Sequence, residues 1–238
     1  LTVERMPWDN FLRWFGRNWY AGEHVILLGP AGRGKTYLAS RILPLRRYVV
    51  AIDIKGGKDP SLSLDRLDGF RNTSSWPHPK ERQLVKTGEP LRLRLAPPNG
   101  RPTDLPAMRS TVRDCLNDVY IRGGWSVYLD ECRVVVDPRA GMGLGREVEN
   151  LILVKRFEGV SVITASQAPR WIPHAAYDQS VHAFFWRNRD REVVKRLAEI
   201  AGGIDRREIE SAVASLGFHE VLYVGGKRER MIRTEVDR

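Results

Sequence analysis

A three-layer α/β domain with a mostly parallel central sheet is the fold class predicted by this 238-residue sequence. Three observations carry that prediction. Short apolar runs alternate along the chain with segments of helical periodicity, and no internal repeat or low-complexity tract interrupts them. A glycine-rich turn joins the first apolar run to a helix. The chain ends on two strand-like runs, 218–224 and 230–236, turning at Gly225-Gly226, which predict a hairpin and an antiparallel edge.

The elements follow in order. Residues 6–20 set Trp8, Phe11, Leu12, Phe15 and Trp19 at helical spacing, with Asp9 as the expected cap. This aromatic segment, 1–21, is expected to precede the main domain at 22–238. Its apolar face suits either its own sheet, the preferred reading, or an adjacent subunit. Residues 24–28 form a short buried strand ending at Gly29, a helix follows Gly34 and fades near Pro44, and 48–53 form a second strand.

Residues 56–104 differ in kind. Pro60, Pro77, Pro79, Pro90, Pro97, Pro98 and Pro102 predict a surface connection, with one alternating strand at 91–95 able to join the sheet. Helix resumes at 106–121, a buried strand at 125–129, a helix at 145–158 and a strand at 160–164. Residues 182–186 read as strand and 190–201 as helix.

Composition excludes several function classes. The 42% hydrophobic and 29% charged fractions exclude a disordered chain. No apolar run approaches the ~18–20 residues of a membrane span, and no signal-peptide pattern opens the chain. Cys115 and Cys132 are too few for a disulfide scaffold, so a reducing, cytoplasmic setting is expected. His174, His182 and His219 lack metal-ligand spacing, and no zinc is assigned. With 39 Lys+Arg against 29 Asp+Glu the formal charge is +10, which favours an anionic partner, nucleic acid foremost.

Gly29-Pro30-Ala31-Gly32-Arg33-Gly34-Lys35-Thr36 fits G-x-x-x-x-G-K-[ST] and has the context that motif needs, a strand before and a helix after. The glycines let successive backbone N–H groups turn inward around a phosphate, and the helix points its positive end at the same anion. Lys35 can reach the β- and γ-phosphates and Thr36 can offer a hydroxyl to Mg²⁺. The segment reads as a nucleoside triphosphate site, with ATP as the expected nucleotide.

Trp125-Ser-Val-Tyr-Leu-Asp130-Glu131 ends an apolar strand with two carboxylates. Ligands of such sheets sit beyond the carboxyl ends of the strands, so the pair is expected near the phosphate loop. Asp130 suits Mg²⁺, and Glu131 suits the polarisation of an attacking water. Thr164-Ala-Ser-Gln167-Ala-Pro169 ends another apolar strand with an amide able to hydrogen-bond the γ-phosphate or that water.

Together these residues resemble the FtsK/HerA superfamily of DNA-pumping ATPases across about 22–203. Asp53-Ile-Lys55-Gly56 is similar to its second-strand motif, Arg156-Phe-Glu-Gly159-Val160 to the turn before its sensor strand, and Arg187-Asn188 with Asp190 to coupling-protein sequences. Departures exist: the Thr–Gln–Pro spacing differs, and Ala168 stands where an arginine often follows the glutamine.

The resemblance implies a RecA-like P-loop NTPase fold and a homo-oligomeric ring of five or six subunits with an arginine finger supplied in trans. By motif position Arg156 is the first candidate and Arg146 the second. Among the branches, the packaging ATPases of tailless, membrane-containing viruses are the most similar. That implies a motor for double-stranded DNA in the host cytoplasm or on the virion, docked to a capsid vertex or membrane protein.

A conjugative or plasmid DNA-transfer ATPase, a small-molecule phosphotransferase and a non-transporting assembly factor stay open as alternatives; Glu131 argues against the phosphotransferase, since kinases avoid activating water. Candidate DNA-contacting loops are Lys55 to Lys58 and Arg139 to Arg146.

Overall fold

The computed structural model describes residues 2–54, 69–79, 81, 88–97, 105–188, 190–200, 204–225 and 230–236. Among the described residues the sheet has ten strands: β1 (Glu4–Arg5), β2 (His24–Leu28), β3 (Tyr48–Ile52), β4 (Arg71–Thr73), β5 (Leu91–Leu95), β6 (Ser126–Leu129), β7 (Ser161–Ser166), β8 (Ser180–Trp186), β9 (Glu220–Gly225) and β10 (Arg230–Glu235). They lie in the order β1-β10-β9-β8-β2-β7-β6-β3-β5-β4, and only β9 runs against the rest. The parallel core is the part the alternation of strand and helix predicted. The hairpin predicted at the end of the chain is present too, joined to the core through β8 and capped at the sheet's edge by β1.

Side-chain alternation sorts each central strand between two cores. Ile26, Leu28, Val50, Ile52, Val127 and Leu129 face one side, where α3 (Leu105–Arg122) and α5 (Gly145–Val154) cover them. Val25, Leu27, Val49, Ala51, Tyr128, Phe184 and Trp186 face the other, under α1 (Trp8–Asn18) and α2 (Lys35–Ile42). The strands are apolar on both faces because both faces are covered. The result is the expected three layers.

The aromatic helix α1 covers its own sheet. Phe11 and Phe15 are fully buried and meet Phe184 edge-on, with ring centroids 5.9 and 5.4 Å apart. Each such side chain contributes roughly 1.5–3 kcal/mol by leaving water. Asp9 is not the cap. Pro7 holds that position with no side-chain bond, and Asp9 lies inside the first turn, where its charge favours the helix dipole.

The proline-rich connection contributes more to the sheet than one strand. β5 pairs with β3 and β4 with β5, extending the parallel array at its edge. Residues 55–68, with Lys55, Gly56 and Lys58, lie outside the described residues, as does the 226–229 turn.

Three short helices were not expected from the sequence: α4 (Cys132–Val136), α6 (His174–Gln179) and α8 (Arg206–Ala214), the last capped by Asp205 accepting from the Arg207 amide. The predicted helix at 145–158 ends as α5 at Val154, and a 3-10 turn at Arg156–Glu158 takes its last residues. α7 (Arg191–Ile200) lies where predicted.

Candidate functional site

The phosphate loop starts where β2 ends. The Gly29 amide continues the sheet by donating to the Ser166 carbonyl at 3.2 Å. A Cβ on Gly29 would stand 2.7 Å from the Trp186 Cβ, so the loop can leave the sheet here only as glycine. At Gly34, φ 101° and ψ 13° bring the chain into α2 through a left-handed residue, again a glycine requirement. Lys35 folds back over the loop, its Nζ donating to the carbonyls of Gly29 at 2.6 Å and Pro30 at 2.8 Å. Arg33 reaches outward and lies 4.1 Å over the Phe218 ring.

Strand order assembles the rest. β7 lies between β2 and β6, with Leu28 paired to Ser166 and Leu129 to Thr164. The residues following these strands therefore emerge side by side at one rim. Thr36 Oγ1 donates to Asp130 Oδ1 at 3.0 Å, and Gln167 Nε2 donates to Glu131 Oε2 at 3.2 Å. Lys35, Thr36, Asp130, Glu131 and Gln167 are thus gathered at one end of the sheet, where the strands' carboxyl ends emerge.

Asp130 is buried, whereas Glu131 is half-buried and Gln167 exposed. Burial separates their chemistry: the first carboxylate is held, the second meets solvent. A hydroxyl beside a fixed carboxylate is a hard oxygen donor set of the kind Mg²⁺ takes. The left-handed glycines at 32 and 34 and Lys35 fit a polyphosphate.

Tyr128 was missed in the sequence. Its hydroxyl donates to Asp130 Oδ1 at 2.7 Å from inside the core. Burial first, and then the neighbouring Asp130 charge, push this phenol far up, so it stays a donor. The signal was available, because residues two apart on a strand share a face. Also missed was Arg94, whose Nε and Nη2 both donate to the fully buried Asp53, at 2.9 and 2.7 Å. Trp186 is fully buried, and its indole Nε1, which faces Gly34, has no hydrogen-bond partner among the described residues.

The two finger candidates separate. The Arg156 backbone packs against Gly22, just ahead of β2, so it lies at the opposite rim from the phosphate loop of its own chain. The strand between spans roughly 13 Å. Arg146 opens α5, which runs back along the sheet, and it is exposed at the phosphate-loop rim. Cys132 is buried and free, and burial pushes its thiol far up, so it packs as a small hydrophobe.

Similar solved structures share this fold. The genome-packaging NTPase B204 of Sulfolobus turreted icosahedral virus 2, in complex with sulfate, superposes with a TM-score of 0.58 at 12% identity, over 91% of this chain and 98% of that one. The chain has the fold of a P-loop NTPase. The bacterial conjugative coupling protein TrwBΔN70 matches with a TM-score of 0.64 at 9% identity, over 92% of this chain and 85% of that one. The pCW3 conjugation coupling protein TcpA, as a monomer with ATPγS, matches with a TM-score of 0.52 at 14% identity, over 91% of this chain and 61% of its own length. No protein-family model matches the sequence, and no curated protein matches it.

Proposed function

We propose that this chain is an ATPase of the FtsK/HerA superfamily that moves double-stranded DNA, packaging a viral genome into a capsid. The observation that carries the reading is the pair of contacts Thr36–Asp130 and Gln167–Glu131, which joins the phosphate loop, acidic pair and polar sensor at one rim.

The residues divide the chemistry of β–γ hydrolysis among them. The loop amides and Lys35 hold the phosphates. Thr36 and Asp130 would hold Mg²⁺, which when bound draws charge off the phosphate oxygens. Tyr128 keeps the Asp130 carboxylate from turning. Glu131 accepts a proton from the water whose oxygen attacks the γ-phosphorus while ADP departs, and Gln167 keeps that carboxylate aimed.

A finger from Arg156 has to come from a neighbour, because in its own chain it lies at the far rim. Around it Ile121, Leu153, Val154 and Phe157 are 75, 55, 50 and 95% exposed. Lys155 stacking on Tyr120 and the Gly124 amide bonded to the Glu158 carbonyl hold these helix ends together. One rim with a nucleotide site and the other with an apolar, arginine-bearing patch suit a head-to-tail ring. Arg146 is the second candidate.

The B204 structures include complexes with AMPPCP and ATPγS, and TrwB is known with ADP and Mg²⁺, which supports ATP and Mg²⁺ here. Among the described residues no helix is long and apolar enough to cross a membrane; host cytoplasm, with docking on a capsid vertex or membrane protein, completes the proposal. The TrwB match favours a second reading, conjugative DNA transfer.

Phosphate release by the purified chain, with and without duplex DNA, tests the motor. Stimulation that fades steeply with salt supports it; hydrolysis indifferent to DNA overturns it.

A further inference from the structure

Beside the acidic pair lies an open groove of about 550 Å³, lined by Arg133, Arg139, Arg170 and Trp171 with Asp137 and Glu149. The Arg133 guanidinium sits 3.8 Å, and that of Arg170 5.0 Å, from the Trp171 ring centroid. Arg109 and Arg146 stand near its mouth: Arg109 lies 3.7 Å from the Cβ position of Gly143, and Arg146 opens the helix that supplies Glu149.

Three guanidiniums thus line the groove with two carboxylates, Arg109 and Arg146 lie nearby, and one of the carboxylates, Asp137, is engaged. Asp137 Oδ1 accepts from the amides of Arg139 at 2.8 Å and Ala140 at 3.2 Å, while its Oδ2 lies 3.6 Å from Arg133 Nε. The surplus is positive, planar and exposed, which suits the oxygens of a phosphodiester backbone and reads no base.

The groove is also tied to the catalytic rim. Glu131 immediately precedes α4, and Arg133 is two residues on. Gln167 lies two residues ahead of the turn Pro169–Trp171. The same two segments therefore meet at two rungs: Glu131 with Gln167 at 3.2 Å, and Arg133 with Trp171 at 3.8 Å. The two rungs are two residues apart on one segment and four on the other, so a displacement of the second has a short path to the first.

We propose that this groove seats the phosphate backbone of duplex DNA and that the Arg133–Trp171 stack transmits its occupancy to Glu131 and Gln167. The inference rests on the motor reading and supplies its contact surface and its coupling. Phosphate oxygens drawn to Arg133 and Arg170 compete with the stacked indole, shifting the sensor segment against α4 and re-aiming the Glu131 carboxylate.

The test uses the full chain. Binding of a fluorescein-labelled duplex is followed by anisotropy across a KCl series for wild type and for Arg139→Ala/Arg170→Ala, both exposed positions. Each lost phosphate contact removes about 0.9 from the slope of log K against log[KCl], so the double variant is expected to be shallower by about 2. In Trp171→Leu, the ratio of duplex-stimulated to unstimulated phosphate release is expected to fall towards one at saturating duplex. Should that variant unfold, Arg133→Lys keeps the charge and removes the planar stack.

An unchanged slope in the double variant, with wild type bound and stimulated by DNA, overturns the groove and leaves the motor standing. An unchanged stimulation ratio overturns the coupling. A wild type that neither binds duplex nor responds to it overturns the motor reading itself.

Discussion

Acid should loosen the phosphate-loop strand through one buried histidine. His24 opens β2 and is 1% exposed. The Val162 amide, which can only donate, points at His24 Nδ1 at 3.0 Å, so the ring proton sits on Nε2 and donates to the Ile152 carbonyl at 3.1 Å. The neutral ring therefore ties β2 to β7 and α5 at once. Protonating Nδ1 would break the first bond and bury a cation near Arg156. Burial foremost, opposed by the Ile152 bond and reinforced by Arg156, brings the pKa from 6.5 to about 4.

The unfolded chain then binds the proton more readily between those values, so stability falls as pH drops from about 6.5 to about 4 and is unaffected above. At 1.36 kcal/mol per pH unit the loss totals about 3 kcal/mol, a large part of a typical domain's stability. Urea unfolding at a series of pH values, for wild type and His24→Asn, isolates it from the other histidines and carboxylates. The variant is expected to be less stable near neutrality, with the two curves converging as pH falls. Curves that stay parallel through the window would show that the ring is not held neutral.

Other expectations follow from single contacts. Glu131→Gln should keep nucleotide binding, measured by equilibrium dialysis, and lower turnover by about 10²–10⁴-fold; unaltered turnover removes Glu131 as the base. Tyr128→Phe takes a buried donor from Asp130 and should cost about 1.5–3 kcal/mol in urea unfolding at neutral pH, whereas an equally stable variant would deny that bond. Gly29→Ala puts a methyl group 2.7 Å from Trp186 Cβ and should abolish nucleotide binding by displacing the loop, which isothermal titration can check. Phe157→Asp should shift assemblies to monomers in light scattering without lowering the melting temperature, since the side chain is 95% exposed; rings that persist would place the interface elsewhere.

Strands and motifs were legible in the sequence wherever one physical constraint dominated. A doubly covered strand has to be mostly apolar, and 24–28, 48–53, 125–129, 160–164 and 182–186 are, with few polar residues such as His24, Ser126, Ser161 and His182 among them. The loop glycines were legible because the backbone there cannot be built otherwise. What escaped depended on partners distant in sequence. Arg92 and Arg94 look alike in an alternating strand, yet Arg94 is buried because Asp53, just past the end of the neighbouring β3, takes its charge. Tyr128 reads as an ordinary core residue until Asp130 is placed on its face. The helices α4, α6 and α8 are short, so periodicity had little length in which to show.

Strand order also determines what the site can do alone. The sensor is last of the three motifs in sequence but central in space, because β7 lies between the strands of the phosphate loop and the acidic pair. Gln167 can touch Glu131 because β7 lies directly beside β6. The same parallel array sends every strand's carboxyl end to one rim, so Arg156, ahead of β7, is left at the other. A cation at that rim cannot act on its own chain's phosphates without unfolding the sheet. For Arg156 to take part in hydrolysis, a second subunit must bring it, and turnover would then rise with protein concentration more steeply than in proportion. A rate strictly proportional to concentration across the assembly range would exclude Arg156 as a finger.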